Sequence, residues 1–377
     1  MGSQRIQEKE VEAPIHGDIL EAILSHVPLI YLLPASHVSN HWNGAVSSSL
    51  RYVNPVKPWL TVHTQNSRAP HVIKSYAYDP RSRSWIKIHA PQINHTSALR
   101  SSHSTLLYTL SPAKFTFSLD SLHLEWNHAP SPRVWRVDPV VARFGNRIVV
   151  AGGACDFEDD PLAVEMYDID SGNWIQCESM PEMMEDTTAS TWLSVAVAGE
   201  FMYVTEKNSG TLYSFDCKTM TWQGPYELRR EESVFFSVTG MVRNRLVVVG
   251  IVGDAENVKG VKIWEVKKEL GFETMELCAM PKEMVKKLIG ESGNGLLNSI
   301  ELVCIGDFVY VYNPSEPEEM VVCEVLQGGG CEWRIARNEV VNHDARMGRV
   351  VLCGGDVRLE DLKSAVSGNC RFELVQV

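Results

Sequence analysis

The feature that most constrains this chain is a short element that returns. Tyr78-Asp79, Tyr167-Asp168 and Phe215-Asp216 each put the aspartate six residues before a tryptophan, at Trp85, Trp174 and Trp222. A looser copy, FSLDSLHLEW, places Trp126 six residues after Asp120. The four tryptophans follow one another at 41, 48 and 48 residues. A period of that length marks a supersecondary unit that cannot bury its own faces and must stack on its copies. The indoles are expected between neighbouring units, as core rather than as a ligand site. Trp174 and Trp222 are expected to be deeply buried.

Phe144 to Trp174 reads as one such unit. Arg147–Ala151 has strand character, and Gly152-Gly153 ends it, because glycine alone takes a positive φ freely. An acidic loop follows, then Val164–Ile169, a Ser171-Gly172 turn and a strand opened by Trp174. Strand, double glycine, strand ending in Tyr-Asp, turn and strand with tryptophan: this order resembles a kelch repeat, the four-stranded blade of a β-propeller. The resemblance implies structural roles for Gly152, Gly153, Tyr167, Trp85, Trp126, Trp174 and Trp222. Weaker copies run from Asn244 to Trp264, with Phe272 in the tryptophan's place, and from Ile300 to Trp333. GRVVLCGGDV, with Gly354-Gly355, restates NRIVVAGGAC and is followed by the strand-like RFELVQV. Blade-like segments lie at 58–90, 97–130, 139–181, 192–226, 237–281, 299–336 and 340–377. The first and last are incomplete and are expected to pair, with Arg371–Val377 needed for closure. The expected fold is therefore all-β, a kelch-type propeller of six or seven blades over residues 58–377.

Residues 14–50 have a different period. Ile19, Leu20, Ile23, Leu24 and Val27 share a helical face, with Asp18 and Glu21 suited to a capping box. Pro34 is expected to start a second helix and Ser39 to cap a third, in which Trp42, Val46 and Leu50 are four apart. Three short helices make too small a core to stand alone. HGDILEAILSHVPLIYLLPASHVSNHWNGAVSSSL resembles an F-box. The opening Leu-Pro of that pattern is Ile15-His16 here, and His41 replaces the usual basic residue before the tryptophan. The F-box followed by kelch repeats resembles a plant-type arrangement. The resemblance implies a Skp-type adaptor as partner, and through it a cullin-RING ubiquitin ligase. Adaptor contacts are expected from Ile15, Ile19, Leu20, Ile23, Leu24, Val27, Pro28, Val38 and Trp42. Residues 1–13 are expected to be disordered. Pro55 and Pro58 bracket a short stiff linker at 51–57.

The net charge of −12 argues against nucleic acid as a partner. No apolar run approaches the roughly 20 residues of a membrane span, and MGSQRIQEKEVEA lacks the apolar stretch of a secretory signal. The chain is expected in the nucleus or cytoplasm. Its nine cysteines include no C-x-x-C, so buried free thiols are expected, with no metal and no cofactor. Some kelch propellers are copper oxidases, but Phe144–Val340 contains no histidine, and no nucleophile–base set or phosphate loop is present. The resemblance therefore points to a non-catalytic substrate receptor that holds a protein target near the ligase. A kelch scaffold without ligase function is the alternative, and a copper radical oxidase the less favoured one.

Three insertions break the blade pattern: Asp156–Asp160, Pro181–Thr188 and Pro281–Glu291. Such loops carry recognition in repeat folds. Glu182, Met183, Met184, Glu185 and Asp186 join adaptable apolar contacts to acid, and Lys282, Lys286 and Lys287 add base. These residues, rather than the central channel, are the expected target-binding set.

Overall fold

The computed structural model describes residues 17–66, 69–91, 97–103, 105–153, 160–228, 233–290, 296–338 and 348–375. Residues 1–13, Ile15, His16 and Asp156 lie outside that set. Three helices come first: α1 (Asp18–Leu24), α2 (Leu29–Ser36) and α3 (Asn40–Ser48), with a π-helical turn at Ser49–Val53. Most of the remaining described residues form six antiparallel sheets. The closing blade holds β1 (Trp59–Asn66), β2 (Ile73–Asp79) and β3 (Ser84–His89). The second holds β4 (Leu99–His103), β5 (Leu106–Leu110), β6 (Lys114–Ser118) and β7 (Asn127–Pro130). The third holds β8 (Val140–Phe144), β9 (Arg147–Ala151), β10 (Val164–Asp168) and β11 (Asn173–Gln176). The fourth holds β12 (Leu193–Ala198), β13 (Phe201–Glu206), β14 (Thr211–Asp216) and β15 (Thr221–Glu227). The fifth holds β16 (Val234–Val242), β17 (Arg245–Gly253), β18 (Val258–Lys267) and β19 (Glu273–Ala279), and is followed by helix α4 (Lys282–Ile289). The sixth holds β20 (Glu301–Ile305), β21 (Phe308–Asn313), β22 (Glu316–Val325) and β23 (Cys331–Arg337). Then come β24 (Gly348–Gly355), helix α5 (Leu359–Ser367) and β25 (Arg371–Leu374).

The ring closes through both chain ends. β24 is the innermost strand of the closing blade and pairs with β1, Trp59 opposite Gly355 and Asn66 opposite Gly348. The blade reads β24-β1-β2-β3-β25, so the ring has six blades, and β25 is a fifth, outer strand. Closure thus rests on Gly348–Gly355 rather than on Arg371–Val377. The inner strands β24, β4, β8, β12, β16 and β20 touch in turn around the axis. A cluster of buried apolar side chains fills each of the six seams between neighbouring blades.

The recurring aspartate builds the turn before the outer strand. Asp168 accepts from Ser171 N at 2.9 Å, Asp79 from Arg81 N at 2.9 Å and Asp216 from Lys218 N at 2.8 Å. The turn sets the aromatic residue opposite the tryptophan: Tyr78 faces Trp85, Tyr167 faces Trp174 and Phe215 faces Trp222. Each indole N–H then donates to the blade before it, Trp85 to Arg337 O, Trp174 to Pro130 O and Trp222 to Glu178 O, at 2.8, 3.0 and 3.2 Å. Phe272 takes the same place in the fifth blade and stacks on Tyr226 of the fourth, centroids 4.0 Å apart.

Three expectations are corrected. Trp174 and Trp222 are half-buried, because they lie on the outermost strand of their sheets. Trp85 is buried, and there β25 adds a further strand outside β3. Trp126 packs on the seam between the closing and second blades as expected, but in a different register: Phe117 pairs with Asn127, and the Trp126 indole N–H donates to His123 O in its own loop. Gly354-Gly355 does not repeat Gly152-Gly153 in space. Gly152-Gly153 follows a second strand, with φ of 63° and 65°, and a Cβ on Gly152 would meet Thr188 O at 2.6 Å. Gly354-Gly355 ends an innermost strand, and a Cβ on Gly354 would strike Ile305 and the Trp59 carbonyl. Trp333 is half-buried and packs on the seam between the fifth and sixth blades.

Candidate functional site: a docked helical module and the loops opposite it

The helices form from local signals, with two shifts. Ser39 caps α3, its Oγ accepting from Trp42 N at 3.2 Å. Gly17, not Asp18, is the N-cap of α1, and the Glu21 carboxylate accepts from Ser48 Oγ at 2.8 Å, which ties α1 to α3. α2 starts directly after Pro28, so Pro34 falls inside it near its end. There the missing N–H removes one bond of the last turn only.

α1 is apolar on two sides, and the two sides have different fates. Leu20 and Leu24 are 2% and 3% exposed and share one cluster with Leu29 and Leu32 of α2, Val46 of α3 and Trp59, Ala77, Ile86 and Ile88 of the closing blade. Leu362 and Ala365 of α5 complete it. Each such side chain contributes about 1.5–3 kcal/mol by burial. Leu20 and Leu24, expected on an adaptor face, therefore anchor the module to the ring. Ile19 and Ile23 are 66% and 47% exposed, and Val38, after α2, is 64% exposed. Val27, Pro28 and Trp42 are half-buried. Among the described residues of the module, Ile19, Ile23, Tyr31 and Val38 face solvent, as do Tyr52 and Val53 of the π-helical turn.

One arginine locks the junction. Arg81, in the β2–β3 turn, donates to Leu24 O at 2.8 Å, Val27 O at 2.5 Å and Asn54 O at 2.9 Å. Its charge lies against the carbonyl end of α1, where the helix dipole is negative. Asn54 returns a bond to Ser25 O at 2.9 Å, and Lys57 pairs with Glu324 at 2.7 Å. Residues 51–57 are thus fastened to the ring at Asn54 and Lys57.

Strands alternate in direction, so first–second and third–fourth turns open on one face, and second–third turns and blade-to-blade connections on the other. The helical module, the β2–β3 turn and α5 share the first face. The described parts of the insertions at Pro181–Thr188 and Pro281–Glu291 share the second. Glu182–Thr187 is a short 3-10 helix there, with Glu182 and Glu185 exposed. Met183 is 76% exposed, whereas Met184 is 1% exposed and fills the seam between third and fourth blades, so it is not a surface contact. The Asp186 side chain lies outside the described set. α4 buries Val285 and Leu288 and is fixed by Asn313 Nδ2 donating to Leu288 O at 3.0 Å. Lys282 and Lys286 are exposed, and Lys287 is half-buried.

The channel opens on this second face as a cavity of about 340 Å³. Its rim carries an Arg100–Asp138 pair and a Lys207–Glu301 pair at 2.7 Å. Burial opposes ionisation of Asp138, but the Thr191 and Ser190 hydroxyls and Arg100 outweigh it and hold the carboxyl below its usual range.

The F-box domain model matches residues 17–54. An F-box/kelch-repeat protein of Arabidopsis thaliana is 43% identical over 379 aligned residues, spanning 96% of this chain and 95% of the relative. The chain belongs to the F-box/kelch-repeat family.

Two parts of the F-box/kelch junction were missed from sequence. α5 carries a signal, Leu359, Leu362 and Ala365 three apart, that was passed over as part of a weak repeat. Arg81 carries none, since it follows a Tyr-Asp-Pro turn like any surface arginine. Among the described residues, no helix is long and apolar enough to cross a membrane.

Proposed function

We propose that this protein is the substrate-recognition subunit of an SCF-type ubiquitin ligase. In this reading the F-box binds a Skp-type adaptor through Ile19, Ile23, Tyr31 and Val38, and the opposite face of the propeller holds a protein target. The observation that carries it is the division of α1. One apolar side is consumed by the ring, and the other faces solvent on a module that matches the F-box model. The chain needs no catalytic group for this role. It raises the effective concentration of the target's lysines near a conjugating enzyme, and a module fastened by Arg81, Asn54 and Lys57 keeps that distance defined.

Co-purification tests the adaptor half. Ile19→Glu with Ile23→Glu should abolish capture of a Skp-type adaptor while the melting temperature stays unchanged, because both side chains already face water. Capture that survives both changes would overturn the reading.

A further inference from the structure

We propose that the seam between the closing and second blades holds a transition-metal site, with His63, His123 and Cys353 as ligands and zinc as the ion that fits best. This goes beyond the ligase reading and does not depend on it.

The three ligands come from three distant segments. His63 is on β1, His123 in the turn before β7 and Cys353 on β24. They are 3%, 6% and 0% exposed, and their ligand atoms all lie within 4.8 Å of one another. Cys353 Sγ is 3.1 Å from His123 Nε2. Tetrahedral zinc, with Zn–S of about 2.3 Å and Zn–N of about 2.0–2.1 Å, spaces its ligand atoms roughly 3.5 Å apart. The pocket therefore needs to open by only a few tenths of an ångström at that pair.

The surroundings are those of a ligand set. Ser75 Oγ is bonded to His63 Nδ1 at 2.9 Å, the outer-shell contact that fixes a ligating imidazole and turns its Nε2 inward. Thr61 Oγ1 lies 3.1 Å from Cys353 Sγ. His123 is held at φ 55° in a turn built by Asp120, which accepts from Leu122 N and Leu124 N, both at 3.0 Å. A cavity of about 220 Å³, lined by His63, His123 and Trp126, reaches the two imidazoles and leaves room for a water as fourth ligand. Two imidazoles and one thiolate suit zinc or a similarly soft ion, and not magnesium or calcium.

Leu99, Leu107, Val351 and Cys353 line this seam beside the ligands, and Trp59, Ala77, Ile86 and Ile88 of the closing blade with Leu122 of the second blade pack in the cluster shared with the helical module. A metal here would join β1, β24 and the second blade at the point where the ring closes. The sequence hides the site because the ligands lie 60 and 230 residues apart, with no paired spacing.

The test uses the full chain, stripped with a chelator and titrated with zinc alone and with cobalt(II) as the spectroscopic probe. Cys278, Cys323 and Cys331 also bring three sulfurs within 4.8 Å, so every measurement is repeated in a Cys278→Ser background. In that background about one zinc should bind per chain and raise the melting temperature, and cobalt should give a thiolate charge-transfer band. Cys353→Ser should remove the band, and His123→Gln should weaken zinc binding by about 100-fold or more. Ser75→Ala removes the hydrogen bond to His63 Nδ1 and should weaken zinc binding by about 10-fold, read against that variant's own metal-free melting temperature. If Cys353→Ser fails to fold, the graded loss in Ser75→Ala decides alone. A band that persists in Cys353→Ser, a site lost with Cys278→Ser, or zinc affinity unmoved by Ser75→Ala would each overturn the proposal.

Discussion

The two faces of the ring are built by opposite rules. On one, apolar side chains from three helices, a blade and α5 merge into a single core, and Arg81 bonds three carbonyls across the junction. On the other, connections of unequal length carry Glu182, Glu185, Lys282 and Lys286 in solvent around an open channel mouth. Yet both faces rest on the same blades. The difference teaches that a propeller can carry a docked module on one face and leave the other open without a hinge, because strand direction alone sends alternate connections to opposite sides.

The comparison can be broken most severely at the fused face. Trp59→Ala, at a side chain with no exposure, should cost about 3–5 kcal/mol. Because the cluster spans module and ring, calorimetry should show one merged transition moving down. Two separate transitions in the unaltered chain would mean the faces are less different than the packing indicates. Arg81→Met keeps the stem and removes the charge-assisted bonds, and should cost about 1.5–3 kcal/mol in denaturant unfolding. Cleavage by protease near Asn54 should rise with it, and an unchanged digestion pattern would show that the apolar cluster suffices.

The rim belongs to neither face, and a smaller effect is expected there. Trp174→Phe and Trp222→Phe each remove one indole bond to the preceding blade from a half-buried site, for about 1 kcal/mol apiece. A loss near that of Trp59→Ala would mean the outer strands carry more of the ring than their burial implies. Least of all should the open face respond. Glu182→Lys with Glu185→Lys should change stability by less than about 0.5 kcal/mol, leave adaptor capture intact and reduce recovery of proteasome-stabilised targets. Unaltered target recovery would move the binding surface to the channel mouth or to another loop.

The blades were legible because their signal is local. Asp79, Asp168 and Asp216 each build a turn within three residues, and the turn alone sets the aromatic–tryptophan pairing. Distant pairings were not legible in the same way. Gly348–Gly355 looked like the second strand of a blade, since its residues match NRIVVAGG, and only its pairing with β1 makes it the innermost strand. On α1 the apolar run Ile19, Leu20, Ile23, Leu24 was visible, but a helix apolar on two sides has two partners. Nothing within the run says that Leu20 and Leu24 face the ring. Met184 was misplaced for a related reason, being adjacent to exposed Met183 on a tight helical turn that sends neighbouring side chains in different directions. Arg81 and the His63–His123–Cys353 group depend wholly on contacts that span many residues.

The closing blade also sets a timetable for synthesis. Leu32 leaves the ribosome early, but Leu362, which packs in the same cluster, follows 330 residues later (362 − 32). At about 5–20 residues per second that gap lasts roughly 15–65 s. Through it the ring lacks its innermost closing strand and the F-box lacks part of its floor. A chain cut short anywhere before β24 therefore presents a module whose helices have no finished surface to sit on. The helical module and the closing blade therefore finish folding together, as the last step of making the chain.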